Sequence, residues 1–183
     1  YSKMKILVTG ANGQLVNELR NASKGSVHNF IFSDVSDIPG CDTVYLDITN
    51  IDAIRIGAES EKVDVFVNCA AYTNVDKAES DEALCELLNH TAPEYLAEAA
   101  AAVGATMIQV STDYVFDGTA CTPYREDAPT NPQTVYGRTK LAGEESVIRN
   151  CPGSMVIRTA WLYSTFGNNF VKTMIRLGKE RDT

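Results

Sequence analysis

Tyr136 and Lys140 stand four residues apart in the run Tyr136-Gly137-Arg138-Thr139-Lys140. On a helix that spacing puts both side chains on one face, so a phenol and an ammonium can share one cleft. The cation favours phenolate and lowers the tyrosine pKa. The phenol can then protonate a carbonyl oxygen as hydride reaches the carbon. Upstream runs Ser111-Thr112-Asp113-Tyr114-Val115-Phe116-Asp117-Gly118. A hydroxyl at such a strand end, that of Thr112, can donate to the same carbonyl. Tyr-x-x-x-Lys also arises by chance on solvated helix faces, Thr112 could simply cap a turn, and Tyr114 and Phe116 could be core aromatics. The other elements of the chain therefore have to decide.

Thr9-Gly10-Ala11-Asn12-Gly13-Gln14-Leu15 joins the first strand to the first helix. Gly10 permits a tight turn, and Gly13 lets the backbone approach a pyrophosphate at the helix N-terminus. Unpaired N–H groups and the helix dipole favour an anion there. The third small position of such loops falls on Val16, which predicts a departure from standard dinucleotide seating. Asp34 ends the second strand. Its carboxylate can accept from both ribose hydroxyls and would repel a 2′-phosphate, which suits NADH. A loop or capping aspartate is the competing reading, given the polar cluster Ser33–Asp37. Asp47-Ile48, at the next strand end, could flank an adenine. Lys140 could also hold the nicotinamide ribose.

These residues need elements to position them. Lys5–Thr9, Phe30–Ser33, Thr43–Leu46, Val63–Asn68, Thr106–Ser111 and Met155–Thr159 read as strands. Gly13–Ser23, Ile51–Glu59, Tyr136–Arg149 and Asn168–Lys179 read as helices. Ser80–Val103 is helical too, with a break expected before Pro93. Apolar strands alternating with helices predict an α/β fold, a doubly wound parallel sheet of the Rossmann-like kind. Its crevice lies beyond the strands' carboxyl ends. Thr9–Gly13, Asp34, Cys69–Tyr72 and Ser111–Tyr114 all fall there.

Composition narrows the classes. At 183 residues the chain is one domain, or one plus a fragment of a second. Hydrophobic residues at 44% and charged residues at 22% exclude a disordered or collagen-like chain. A net charge of −8 argues against nucleic acid or an anionic membrane as partner. No apolar run is long enough for a membrane span, and Tyr1–Lys5 lacks a signal-peptide layout. Cys41, Cys69, Cys85, Cys121 and Cys151 are odd in number and form no Cys-x-x-Cys, and the only histidines are His28 and His90. No metal site or disulfide framework is expected, and reduced thiols imply a cytoplasmic protein.

Taken in order, the motifs resemble a known group. They are Thr-Gly-x-x-Gly-Gln-Leu, Asn68-Cys69-Ala70-Ala71-Tyr72-Thr73, Val75-Asp76-Lys77-Ala78-Glu79, Ser-Thr-Asp-Tyr-Val-Phe-Asp-Gly and Tyr-Gly-x-Thr-Lys-x-x-Gly-Glu. The set is similar to the extended short-chain dehydrogenase/reductases and, more narrowly, to the dTDP-4-dehydrorhamnose reductase family. Arg158-Thr159-Ala160-Trp161-Leu162-Tyr163 and Gly167-Asn168-Asn169-Phe170 fit the same family. The resemblance implies reduction of the 4-keto group of dTDP-4-dehydro-6-deoxy-L-mannose to dTDP-L-rhamnose by NADPH or NADH. It implies Thr112, Tyr136 and Lys140 as the catalytic set. The same two, Tyr136 and Lys140, would join Gly10, Gly13, Gln14, Leu15, Asp34, Asp47, Ile48, Ala70, Ala71, Tyr72 and Val110 around the cofactor. Thr112, Asp113, Tyr114, Trp161 and Asp76 would meet the nucleotide-sugar; a core role for Trp161 is the alternative. In some relatives Mg²⁺ bridges subunits through carboxylates, and a homodimer is left open.

By the same resemblance, 1–183 is a dinucleotide-binding domain with a substrate-binding region beginning at about 160–183. The C-terminal substrate lobe is expected to be mostly absent. Two rival functions stay open: a nucleotide-sugar epimerase or dehydratase of the same superfamily, and a regulatory nucleotide-binding subunit resembling the methionine adenosyltransferase β-subunit. The Thr112, Tyr136 and Lys140 set favours an enzyme; Val16 and the stop at Thr183 favour binding alone.

Overall fold

The computed structural model describes residues 2–181. Its strands are β1 (Lys5–Thr9), β2 (Asn29–Asp34), β3 (Val44–Tyr45), β4 (Val65–Asn68), β5 (Thr106–Thr112) and β6 (Met155–Thr159). All pair in parallel, in the order β3-β2-β1-β4-β5-β6. The order reverses at β1 and β4, and open parallel sheets hold their ligands at that switch, past the carboxyl ends. β1 shows why its sequence is a continuous apolar run. Ile6 and Val8 pack with Val16 on one face, while Leu7 joins the larger core on the other. A strand covered on both faces has no side left for alternating polar residues.

The helices are α1 (Gln14–Ala22), α2 (Ile51–Glu61), α3 (Val75–Ala78), α4 (Glu82–Glu86), α5 (Ala92–Ala102), α6 (Val135–Asn150) and α7 (Phe170–Glu180). Their starts follow local chemistry. The side chains of Asn50, Asn74, Thr134 and Asn169 accept from first-turn N–H groups of α2, α3, α6 and α7. α3, with four residues, is too short to leave a periodic pattern and was not expected. None of these helices is long and apolar enough to cross a membrane.

The expected break before Pro93 is not a break. α4 and α5 run on through a π turn at Leu87–Thr91, with Pro93 in the first turn of α5. Proline has no N–H for the carbonyl four residues back, that of Asn89, and a π turn absorbs such a defect without ending the helix. α6 exploits the gap. A Cβ built on Gly143 would collide with the Asn89 carbonyl oxygen. One turn and a half earlier, a Cβ on Gly137 would collide with the carbonyl oxygen of Tyr114. Two glycines thus let α6 lie directly against backbone, with Tyr136 just before the first and Lys140 between the two.

Gly143→Ala should cost ~1–3 kcal/mol, because both sides of the contact are backbone or packed helix. Gly57→Ala in α2, where a Cβ meets nothing within 4 Å, should be neutral or stabilise by up to ~1 kcal/mol. Urea unfolding of the two variants beside the parent separates steric exclusion from helix propensity.

Candidate active site

The cleft at the end of β1 is built around Gly10, whose φ is +74°. A Cβ there would sit 2.7 Å from the Ala70 nitrogen and 2.9 Å from the Cys69 carbonyl carbon. The loop after β4 therefore lies against the glycine turn. Gly13 N–H donates to the Gly10 carbonyl at 3.0 Å and closes that turn. Gly13 also precedes α1 without a side chain to cap it. First-turn N–H groups of α1, from Gln14 and Leu15, are left without a side-chain acceptor at a positive helix end. A cavity of about 340 Å³ adjoins them, lined by Gly10, Gly13, Asp34, Asp47, Ile48, Ala70 and Ala71, with Cys69, Thr73 and Leu88. A cradle that only glycine leaves open, beside an uncapped helix start, fits a dinucleotide.

The structure brings most expected cofactor residues together and qualifies several. Asp34 lies in the cavity wall, but its Oδ2 accepts from Asn12 N–H at 3.1 Å and its Oδ1 from the N–H and hydroxyl of Ser36 at 3.2 Å. It clamps the loop and also lines the cleft. Asp47 Oδ1 accepts from Thr49 N–H at 2.9 Å and Oγ1 at 2.7 Å, an Asx turn. Ile48 is buried in the core, and Leu15 is half-buried. The Gln14 side chain turns away: Nε2 donates to the Leu162 carbonyl at 3.2 Å, and Oε1 accepts from Asn169 Nδ2 at 3.3 Å. Only its backbone serves the helix start. Val16 is fully buried against Ile6, Val8 and Ala11, so a side chain fills the helix–strand space that a glycine would close.

The catalytic candidates converge at the carboxyl end of β5. Thr134 caps α6, Tyr136 lies in its first turn, and Lys140 follows one turn on. Lys140 is 4% exposed, and its Nζ donates to the Val110 carbonyl at 2.7 Å. Burial pulls its pKa down to about 8, and Glu144, Cys69 and Cys85 offset part of that. Tyr136 corrects an expectation. Its pKa is raised, not lowered: burial dominates, and Asp113, Cys85 and Tyr114 add to it while the neighbouring Thr112 hydroxyl pulls the other way. Lys140, turned onto Val110, does not offset it. The phenol is held as a proton-bearing acid.

Thr112 does two things. Its Oγ1 accepts from Tyr114 N–H at 3.2 Å, capping the 3₁₀ turn Asp113–Val115, and donates to Asp113 Oδ1 at 3.2 Å. The Tyr114 ring meets Tyr136 edge-on, with centroids 5.5 Å apart. Asp113, Tyr114 and Trp161 line a hollow of about 410 Å³ beside Thr134. Trp161 is not a core residue. It is 74% exposed, at φ +54°, with its ring against Phe170. Asp76 sits exposed in the first turn of α3 and makes no hydrogen bond among the described residues. A larger hollow of about 930 Å³ opens between α6 and β6, but neither Tyr136 nor Lys140 lines it.

Some supporting residues escaped the sequence. Asn89, buried in the π turn, accepts from Tyr72 N–H at 2.8 Å and donates to the Tyr72 carbonyl at 3.1 Å and to Thr139 Oγ1 at 3.2 Å. It ties the Tyr72 loop to α6. An asparagine inside a helical run, four residues before a proline, was the available signal. Glu144, buried one turn after Lys140, receives two hydrogen bonds to one oxygen and one to the other from Arg158, the shortest 2.6 Å. Among the described residues no group of three or more His, Cys, Asp or Glu is placed to hold a metal ion.

Sheet order, glycine cradle and the helix that carries Tyr136 and Lys140 together define a doubly wound domain of the Rossmann type. Residues 4–183 match the family model described as RmlD substrate binding domain, and the chain belongs to that family. A dTDP-4-dehydrorhamnose reductase of Salmonella typhimurium is 46% identical over 98% of this chain and 58% of its own length. One of Streptomyces griseus is 45% identical over 100% of this chain and 58% of its own. Among solved structures, the dTDP-4-dehydrorhamnose reductase of Clostridium acetobutylicum is 49% identical, with a TM-score of 0.90 over 98% of this chain and 61% of that one. The Bacillus anthracis enzyme, solved in complex with NADP, is 38% identical with a TM-score of 0.90 over the same shares. The chain thus spans a little under three-fifths of the curated relatives it matches.

Lys140 links the site to stability. Its folded pKa of about 8 lies below the ordinary 10.5, so between those values the unfolded chain binds the extra proton and stability rises with pH. Below that window the buried charge weakens the fold by a few kcal/mol at most. Lys140→Met should therefore gain most over the parent near neutral pH. The gain should shrink as pH climbs from about 8 towards 10, as read by denaturant unfolding across that range.

Proposed function

We propose that the full-length protein is an NAD(P)H-dependent reductase. Its substrate would be dTDP-4-dehydro-6-deoxy-L-mannose, reduced at the 4-keto group to dTDP-L-rhamnose. The observation that carries this reading is the meeting of Thr112, Tyr136 and Lys140 at the end of β5, beside the glycine cradle at β1. The names of the similar proteins support it, as does the NADP complex of the Bacillus anthracis structure.

A reduced nicotinamide, when bound, supplies hydride to the keto carbon. The chain's own residues handle the oxygen. Tyr136, kept protonated by burial, gives its proton to the keto oxygen, an acid step worth ~10²–10⁴-fold. Thr112 can release Asp113 and donate to the same oxygen, which holds it against the phenol. Lys140 spends one N–H on Val110 and keeps two, one for the nicotinamide ribose and one towards the phenol it helps to reload. Asp113, Tyr114 and the exposed Trp161 form a wall for the nucleotide-sugar. Asp34 supports NADH as the better-bound cofactor, with NADPH also accepted. Residues 1–183 carry the dinucleotide domain, and a separate substrate-binding region starts at about 160–183, adding to the contacts from Thr112, Asp113 and Tyr114. Five free cysteines support a reducing, cytoplasmic setting.

The test is net oxidation of NADH or NADPH by the full-length protein with the dTDP-4-ketosugar. An epimerase or dehydratase would recycle its dinucleotide, and a regulatory subunit would only bind it. Tyr136→Phe should lower kcat by ~10²–10⁴-fold while dinucleotide affinity stays within about twofold. Parent-like turnover with chemistry rate-limiting would remove Tyr136 from its role.

Asp34→Ala should shift the affinity ratio towards NADPH by about tenfold, the loss of one like-charge repulsion near the surface. Titration of both cofactors against parent and variant reads this. An unchanged ratio would leave Asp34 as a loop clamp alone.

A further inference from the structure

Three polar side chains cross the sheet in one row. Thr9 on β1 lies opposite Asn68 on β4, which lies opposite Gln109 on β5. All three are 1–2% exposed. Thr9 Oγ1 donates to Asn68 Oδ1 at 2.6 Å, Asn68 Nδ2 donates to Gln109 Oε1 at 2.8 Å, and Gln109 Nε2 donates to the Val110 carbonyl at 3.1 Å. That same oxygen accepts from Lys140 Nζ at 2.7 Å. Two residues back, Leu7, Phe66 and Met107 fill the corresponding row with apolar packing. Packing alone therefore does not call for amides here, and buried amides are tolerated only when satisfied.

We propose that Gln109 is a positioning residue for Lys140: its side-chain amide fixes the backbone carbonyl on which the lysine ammonium rests. The row has one possible polarity. A carbonyl oxygen only accepts, so Gln109 must present NH₂ to Val110 and its oxygen to Asn68. Asn68 must then present its own oxygen to Thr9. The aligned amides place a second donor on the oxygen that Lys140 uses. That donor restricts the approach of Nζ and competes for the lone pairs, which disfavours the charged amine. The other groups facing Lys140 are Glu144 on α6, Cys69 after β4 and Cys85 on α4. None belongs to the row. The inference rests on the reductase reading, since Lys140 is the residue whose placement it explains.

The experiment compares Gln109→Leu with Thr9→Val in the full chain. Gln109→Leu deletes the two hydrogen bonds of its amide and Thr9→Val the one of its hydroxyl, but only the first variant touches Val110. Lys140 is followed by NMR of [¹³Cε]lysine-labelled protein through a pH titration, assigned with Lys140→Arg. Gln109→Leu should raise the Lys140 midpoint by ~0.5–1 pH unit. Thr9→Val should lower the unfolding midpoint yet leave Lys140 where it is in the parent. Gln109→Met replaces the leucine variant if that one does not fold. An unmoved midpoint without the Gln109 amide, or equal movement in both variants, would overturn the proposal. The titration needs no substrate, so a failure to reduce the ketosugar would count against the functional reading alone.

Discussion

The close passage of α6 over the strand ends is the constraint on which the site depends. At Gly137 and Gly143 the helix meets backbone carbonyls with no room for a Cβ. Between those points the helix has little freedom to slide or roll. Tyr136 is thereby set beside Thr112, and Lys140 is driven to a depth where only 4% of it meets solvent. A side chain on either glycine would lift the helix and return the ammonium to water. The π turn serves the same approach, since α6 crosses the Asn89 carbonyl four residues before Pro93.

Burial at that depth carries a charge problem, and the fold answers it with neighbours rather than with water. The Val110 carbonyl takes one N–H of Lys140, and Glu144 raises its pKa from one turn away. Glu144 is itself buried and held by Arg158 from β6. An unpaired carboxylate beside the ammonium would form a tight ion pair and fix Lys140 as a permanent cation. Shared with Arg158, it offsets only part of the desolvation. The lysine is left near 8, where an amine can exchange a proton at physiological pH. Tyr136 moves the other way, because burial and the carboxylate of Asp113 both favour the neutral phenol. The pair is thus arranged as a held acid and a labile cation.

Much of this was legible in the residues. Lys5–Thr9 is recovered at its exact bounds, because an apolar run ending in glycine is a local signal. Gly10, Gly13 and Asp34 fall where spacing put them, since a βα turn and the next strand end leave few geometries. The Tyr136–Lys140 spacing fixed which side chains share a face. It did not reveal the sign of the tyrosine shift. That sign depends on how deeply α6 sinks and on what Lys140 donates to, and both are tertiary facts. Asn89 was hidden for the same reason: its partners, Tyr72 and Thr139, are 17 and 50 positions away. Gln14 illustrates a subtler limit. Its place at the start of α1 follows from the glycine loop, but its side chain follows a segment some 150 residues later.

That last contact joins the two walls of the cleft. Gln14 offers its backbone N–H at the start of α1 and its side chain to Leu162 and Asn169. Glu18, one turn along the same helix, accepts from the Ser164 hydroxyl at 2.6 Å. Gly167, at φ +62°, passes so near that a Cβ would stand 3.3 Å from Gln14 Cβ. The segment that carries Trp161 is therefore registered on the helix whose N-terminus faces the glycine turn. The placement of the exposed indole follows from the placement of α1. α1 in turn is set on β1 by Val16, at the position where related loops carry a smaller residue. Packing under the first helix, more than any property of residues 160–169 themselves, determines how far the tryptophan stands from the glycine turn.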